Sequence, residues 1–177
     1  MGTDKALLMR DGQSQLAYAV ELLKCCVDEV FVSTRPDQRE EGERARYNQI
    51  VDQYENIGPV AGILTALEGY PDVDWLVVAC DLPNIDKATI EALLAQRRSS
   101  QPFIAYRSSH DGLPEPLCAV YRSGCTEIVR RSVEGEINCP RKILIRSETL
   151  LLDQPDPRSL DNVNTPDDLQ TSVLQAT

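Results

Sequence analysis

The sequence predicts a single α/β domain built on a mostly parallel sheet, and three observations predict it. Short apolar runs alternate with segments of helical periodicity, the pattern of repeated strand–helix–strand units. One run, WLVVA at residues 75–79, is apolar at every position, as a strand covered on both faces must be. The 177 residues suit one domain with a full core, and residues 1–177 hold no repeat, low-complexity tract or linker.

In order along the chain, Leu16, Ala19, Val20 and Leu23 fall at helical spacing and predict a helix over residues 13–26. Val30, Phe31 and Val32 predict a short buried strand, and the polar residues 35–48 a loop or solvated helix. Ile50 and Val51 predict a second strand, after which Gly58-Pro59-Val60-Ala61-Gly62 opens a helix running to Glu68. Beyond the 75–79 strand, residues 87–97 and 125–133 predict helices, and residues 103–106 and 117–121 predict strands. Residues 142–145 and 149–152 predict two further short strands. A final helix opens at Thr165-Pro166-Asp167-Asp168, with a hydroxyl cap, proline at the first helical position and acids in the first turn.

Composition narrows the function classes. No apolar run approaches the roughly 20 residues of a membrane span, and residues 1–11 mix charges of both signs, unlike a secretory signal. The expected location is the cytoplasm, without a membrane. A net charge of −10 opposes binding to nucleic acid, where a basic face supplies the affinity. The six cysteines include no CxxC pair, and His110 is the sole histidine. Free thiols in a reducing compartment are expected rather than disulfides or zinc.

Four segments place chemistry-bearing residues at strand ends or helix entries. Asp81, in CDLP, follows the apolar strand at the sheet's carboxyl edge, where open α/β folds bind ligands, and a carboxylate there either holds a hard cation such as Mg²⁺ or caps the next helix. Gly58 and Gly62 flank a helix entry, so the backbone there either approaches a ligand closely or turns tightly. Asp52 ends the preceding strand. Asn162 and Asn164 flank Val163 and so share a face, for a ligand or for a turn and cap. Lys5 offers a compact cation suited to polyphosphate, or a solvated surface charge.

Taken in order, MGTDKALL, GPVAGILTALE, CDLP, PLCAVY and NVNTPDDL resemble the molybdenum cofactor guanylyltransferase family of the MobA type, from Met1 to about Leu169. MGxDKxLL and CDxP are shared with cytidylyl- and sugar-nucleotidyltransferases, whereas GPxAGIxxAL followed by CDLP and a terminal NVNTPxDL is much more specific for the guanylyl branch. The resemblance implies a three-layer, Rossmann-like nucleotidyltransferase fold that transfers GMP from GTP to molybdopterin and releases pyrophosphate. It implies Mg²⁺ as cofactor and other molybdenum-cofactor proteins as partners. It assigns Lys5 to phosphate charge and Asp81 to the metal. It assigns Asp52 to the guanosine, Gly58 and Gly62 to the nucleotide pocket, and Asn162 and Asn164 to the metal and pterin side. In that family a first strand and a Gly-rich segment, LAGGxSxRMG, precede the DK motif, and Met1 and Gly2 match its last two residues. The expectation is therefore a chain shortened at its N-terminus, lacking the first strand and inactive as written. A cytidylyl- or sugar-nucleotide transferase, or a non-catalytic relative that binds the cofactor or a partner, are the competing readings.

Overall fold

Even-numbered residues of the longest sheet face one helical layer and odd-numbered residues face the other. The computed structural model describes residues 4–162. Asn164 and the helix expected from Thr165 lie outside them. The chain forms a hairpin of β1 (Met9–Arg10) and β2 (Gln13–Ser14), then α1 (Gln15–Lys24), β3 (Val32–Thr34), β4 (Gln49–Val51), α2 (Val60–Gly69) and β5 (Trp75–Val78). There follow α3 (Lys87–Leu94), β6 (Phe103–Arg107), β7 (Pro114–Tyr121), α4 (Thr126–Glu134), α5 (Pro140–Ile145) and β8 (Thr149–Leu152).

The main sheet runs β5-β7-β6-β8. β7 is antiparallel to both neighbours and β8 is parallel to β6, so β5, β6 and β8 share one direction and β7 alone is reversed. A separate parallel pair, β3 and β4, precedes it, with Ser33 opposite Ile50. Trp75, Val77, Phe103, Ala105, Ala119 and Tyr121 pack against α2, α4 and α5. Leu76, Val78, Ile104, Tyr106, Cys118 and Val120 pack against α1 and α3. The alternation follows from the two-residue period of a strand and gives the expected three layers.

Local chemistry sets the ends. Ser14 caps α1 by accepting the Ala17 N–H at 3.0 Å. Asp86 caps α3, accepting from both the N–H (2.8 Å) and the hydroxyl (2.7 Å) of Thr89. Residues 142–145, expected as a strand, belong instead to α5. Pro140 starts that helix at its first turn, and Ile143 and Leu144 are buried against the sheet. The three-residue apolar run Ile143–Ile145 fits either structure by pattern alone. β3 begins at Val32, two residues later than its apolar run, because only from there does β4 offer partners.

Candidate active site

The carboxyl end of β5 carries the chain through Ala79 and Cys80 to Asp81, and three side chains from the N-terminal segment fix that turn. Gln15 Nε2 donates to the Leu82 carbonyl at 3.1 Å, Arg10 Nη1 to the Pro83 carbonyl at 2.5 Å, and the Tyr18 hydroxyl to the Ile85 carbonyl at 3.1 Å. Arg10 also stacks over the Tyr18 ring, 3.7 Å from its centroid. The Asp11-Gly12 turn aims Arg10: both residues have positive φ, the requirement of the tight hairpin joining β1 to β2.

Into this frame the turn Lys5–Leu7 places its lysine. Asp4 caps it, accepting the Ala6 N–H at 3.0 Å through one oxygen and Arg44 Nη2 at 2.7 Å through the other. Arg44 is buried and bonded to Glu41 as well. Lys5 Nζ lies 3.2 Å from Asp81 Oδ2, both side chains about three-quarters covered. The pair expected from sequence is therefore together, across 76 residues of chain.

Asp52 and Gly62 meet elsewhere on the same rim. The Ser33 hydroxyl donates to Asp52 Oδ1 at 3.0 Å. A Cβ on Gly62 would stand 2.1 Å from Ser33 Oγ and 3.1 Å from Asp52 Oδ1, so only glycine lets α2 approach this pair. Burial raises the Asp52 pKa above the ordinary carboxylate value, with the Ser33 bond and the Arg35 charge opposing it. Gly58 has φ of +66° and open space around its Cβ, so its part is the turn into α2 rather than a wall of the site.

Asp4, Lys5, Ser33, Gly62 and Asp81 line one cavity of about 1310 Å³. Asp81 also lines a smaller cavity of about 160 Å³ with Glu115, Arg141 and Asn162. Arg141 is held there by Glu115 at 2.9 Å and Asp111 at 3.1 Å. Asp81 thus stands between the two spaces. Lys5 meets Asp81, Gly62 lines the larger cavity with them, Asn162 shares only the smaller cavity with Asp81, and Asn164 lies outside the described residues. Sequence reasoning passed over Ser33, Arg44 and Arg141; the Asp11-Gly12 hairpin signal was the one legible pointer it left unused. Burial pushes the Cys80 thiol up to about 11, so beside Asp81 it stays protonated and is no nucleophile at neutral pH.

Among the described residues no cluster of three His, Cys, Asp or Glu side chains could hold a metal by itself. One carboxylate with an amide nearby, as Asp81 and Asn162 provide, matches instead a magnesium ion that takes its remaining ligands from phosphates and water.

The family model described as MobA-like NTP transferase domain matches residues 1–150. The chain belongs to that family. It is 36% identical over 95% of its length to the molybdenum cofactor biosynthesis bifunctional protein of Synechocystis sp., of which it spans about half (48%). It is 30% identical over 94% of its length to a Pseudomonas aeruginosa molybdenum cofactor guanylyltransferase, covering 84% of that protein. Among solved structures, family resemblance in fold extends to a molybdopterin-guanine dinucleotide biosynthesis protein A from Archaeoglobus fulgidus. Its TM-score is 0.79 at 24% identity, over 96% of this chain and 89% of that one. A 2-C-methyl-D-erythritol 4-phosphate cytidylyltransferase from Thermus thermophilus superposes with a TM-score of 0.73 at 13% identity, over 96% and 92% of the two chains. This chain shares its α/β nucleotidyltransferase fold with these two solved structures.

Proposed function

We propose that this protein is a molybdenum cofactor guanylyltransferase, moving GMP from GTP to the terminal phosphate of molybdopterin. The observation that carries the reading is the Lys5–Asp81 pair at the carboxyl edge of β5, opening on a cavity large enough for a nucleotide. Relatives named as guanylyltransferases supply the choice of nucleotide. An oxygen of the molybdopterin phosphate attacks the α-phosphorus of GTP, the bond to the β-phosphate oxygen breaks, and pyrophosphate carries away the electron pair.

In that reaction Lys5 exchanges its contact with Asp81 for the triphosphate oxygens and offsets the charge that grows on the leaving group. Asp52, held by Ser33 beside Gly62, takes hydrogen bonds from the guanosine. Asn162 and Arg141 face the acceptor phosphate from the smaller cavity, on the other side of Asp81. Asp81 and Asn162 would hold a magnesium ion, which would supply charge neutralisation across the phosphates. No helix among the described residues is long and apolar enough to cross a membrane, and none of the six cysteines is paired, which supports a cytoplasmic protein.

The test is pyrophosphate release by the purified chain with molybdopterin and magnesium, GTP and CTP being compared. Release with GTP and not with CTP is the expected result, and it would overturn the expectation that the chain is inactive as written. Release with CTP in preference would transfer the reading to a cytidylyltransferase, and a folded protein that releases none with either would make it a non-catalytic relative.

A further inference from the structure

The turn between β6 and β7 reaches two elements far from it in sequence. Main-chain bonds close its frame: the Ser108 N–H donates to the Leu113 carbonyl at 2.8 Å and the Gly112 N–H to the Ser108 carbonyl at 3.0 Å. Gly112 has φ of +72°, a conformation that glycine adopts without strain. Asp111 divides its two oxygens. Oδ1 accepts the Leu113 N–H at 3.0 Å and tightens the turn, while Oδ2 accepts from Arg141 Nη1 at 3.1 Å. Beside it, His110 Nε2 lies 3.0 Å from Asp161 Oδ1, and since a carboxylate only accepts, the imidazole donates.

Both contacts end at the smaller cavity. Arg141 sits in the first turn of α5, and its other terminal nitrogen, Nη2, donates to Glu115 Oε2 at 2.9 Å. Asp161 directly precedes Asn162. The chain leading to it is pinned by Leu160, packed in the core layer of α3, and by buried Ser159, 3.1 Å from the Thr89 hydroxyl. The described residues that line the smaller cavity include Asp81, Arg141 and Asn162, but neither His110 nor Asp111. The turn therefore acts on this space without entering it. One of its side chains holds the cation, and the next holds the segment that ends in the amide.

We infer that His110 and Asp111 are positioning residues for the acceptor phosphate, an inference that rests on the smaller cavity being the acceptor side. Glu115 alone fixes one edge of the Arg141 guanidinium. Asp111 on the other terminal nitrogen sets its plane as well, and a long side chain ordered before the ligand arrives costs less to immobilise when it binds. A guanidinium carries more N–H donors than these carboxylates use, so a phosphate can be taken without releasing the hold. Lys5 and Gly62 line the larger cavity, and Asp52 bonds to Ser33 beside Gly62, so the nucleotide side is built from other elements. The turn should thus govern one substrate and not the other.

The test is equilibrium dialysis of the full 177-residue chain against molybdopterin and, separately, against GTP, so that no turnover is required. Asp111→Asn leaves one acceptor oxygen for two donors and should weaken molybdopterin binding about fivefold, the scale of one lost hydrogen bond. His110→Ala should weaken it about threefold, because that pair is more exposed. His110→Gln still offers an N–H at similar reach and should recover most of that loss. GTP affinity should stay within about twofold in all three variants, since neither contact touches the nucleotide side. Equal weakening toward both ligands would reduce the turn to a general structural role and overturn the inference. So would variants that bind molybdopterin as the wild type does, or His110→Gln binding no better than His110→Ala. Wild-type protein that binds no molybdopterin would overturn the acceptor reading itself, and this inference with it.

Discussion

Two carboxylates on this rim answer to different physics. Asp81 faces Lys5 at 3.2 Å and gains from an opposite charge. Replacing it with asparagine keeps the shape and removes the charge. The expected outcome is a loss of turnover of about a hundredfold or more in the pyrophosphate assay, the scale of one preorganised electrostatic element. A change of less than about threefold would remove Asp81 from the chemistry. Asp52 answers to burial, which raises its pKa and outweighs the Ser33 bond and the Arg35 charge. The folded protein therefore holds this proton more tightly than the unfolded chain does. Its contribution to stability is fully present below the unfolded value, near 4, and is lost as pH rises through the raised folded value. Asp52→Asn keeps an acceptor for Ser33 without the charge. Its melting temperature should gain on the wild type as pH rises from about 3.5 to 6. A difference that stays flat, or moves the other way, would show that burial does not govern this group.

At the scale of the element, the cap of α3 also steadies the turn that carries Asp81. Asp86 takes two hydrogen bonds from Thr89, whose hydroxyl oxygen in turn accepts from the Ser159 hydroxyl at 3.1 Å, four residues after Ile85 has bonded to Leu82. Asp86→Ala should cost about 1 kcal/mol, seen as a fall of about 2–4 °C in the melting temperature of a chain this size. A fall of less than half a degree would mean that the cap is redundant. Elements of this kind are legible where the local signal is strong: Asp86 before an apolar-periodic helix, or the unbroken apolar run of β5. The helix α5 was not, because Lys142 to Ile145 fit either period and only the tertiary contacts of Ile143 and Leu144 decide. The site divides in the same way. Lys5 and Asp81 could be picked out from their motifs, yet their meeting depends on Gln15, Arg10 and Tyr18 bonding to carbonyls, contacts that no spacing announces. Ser33 and Arg141 carry no local pattern at all, and their partners lie 19 and 26 or more residues away.

Across the whole molecule, stability is unevenly shared between the four-stranded sheet and the β3–β4 pair. Phe103, Ile104, Ala105 and Tyr106 of β6 are fully buried, with a strand on each side and a helical layer on each face. The β3–β4 pair has three residues per strand and a small cluster of Ala6, Leu16, Val20 and Val32 to hold it. A two-stranded sheet with so little burial is marginal without its surroundings. Native-state amide exchange should therefore proceed at least about tenfold faster at Thr34 and Ile50 than at Ile104 and Ala119, through an opening that leaves the larger sheet intact. The rates should converge if both sheets open only in global unfolding. The distinction reaches the site, because Asp52 and Ser33 belong to the weaker sheet while Asp81 belongs to the stronger one. A nucleotide bridging them would link the two, and exchange at Thr34 and Ile50 should slow on adding GTP while that at Ile104 stays unchanged. Slowing at all four positions alike would place the ligand's stabilisation in the global transition instead.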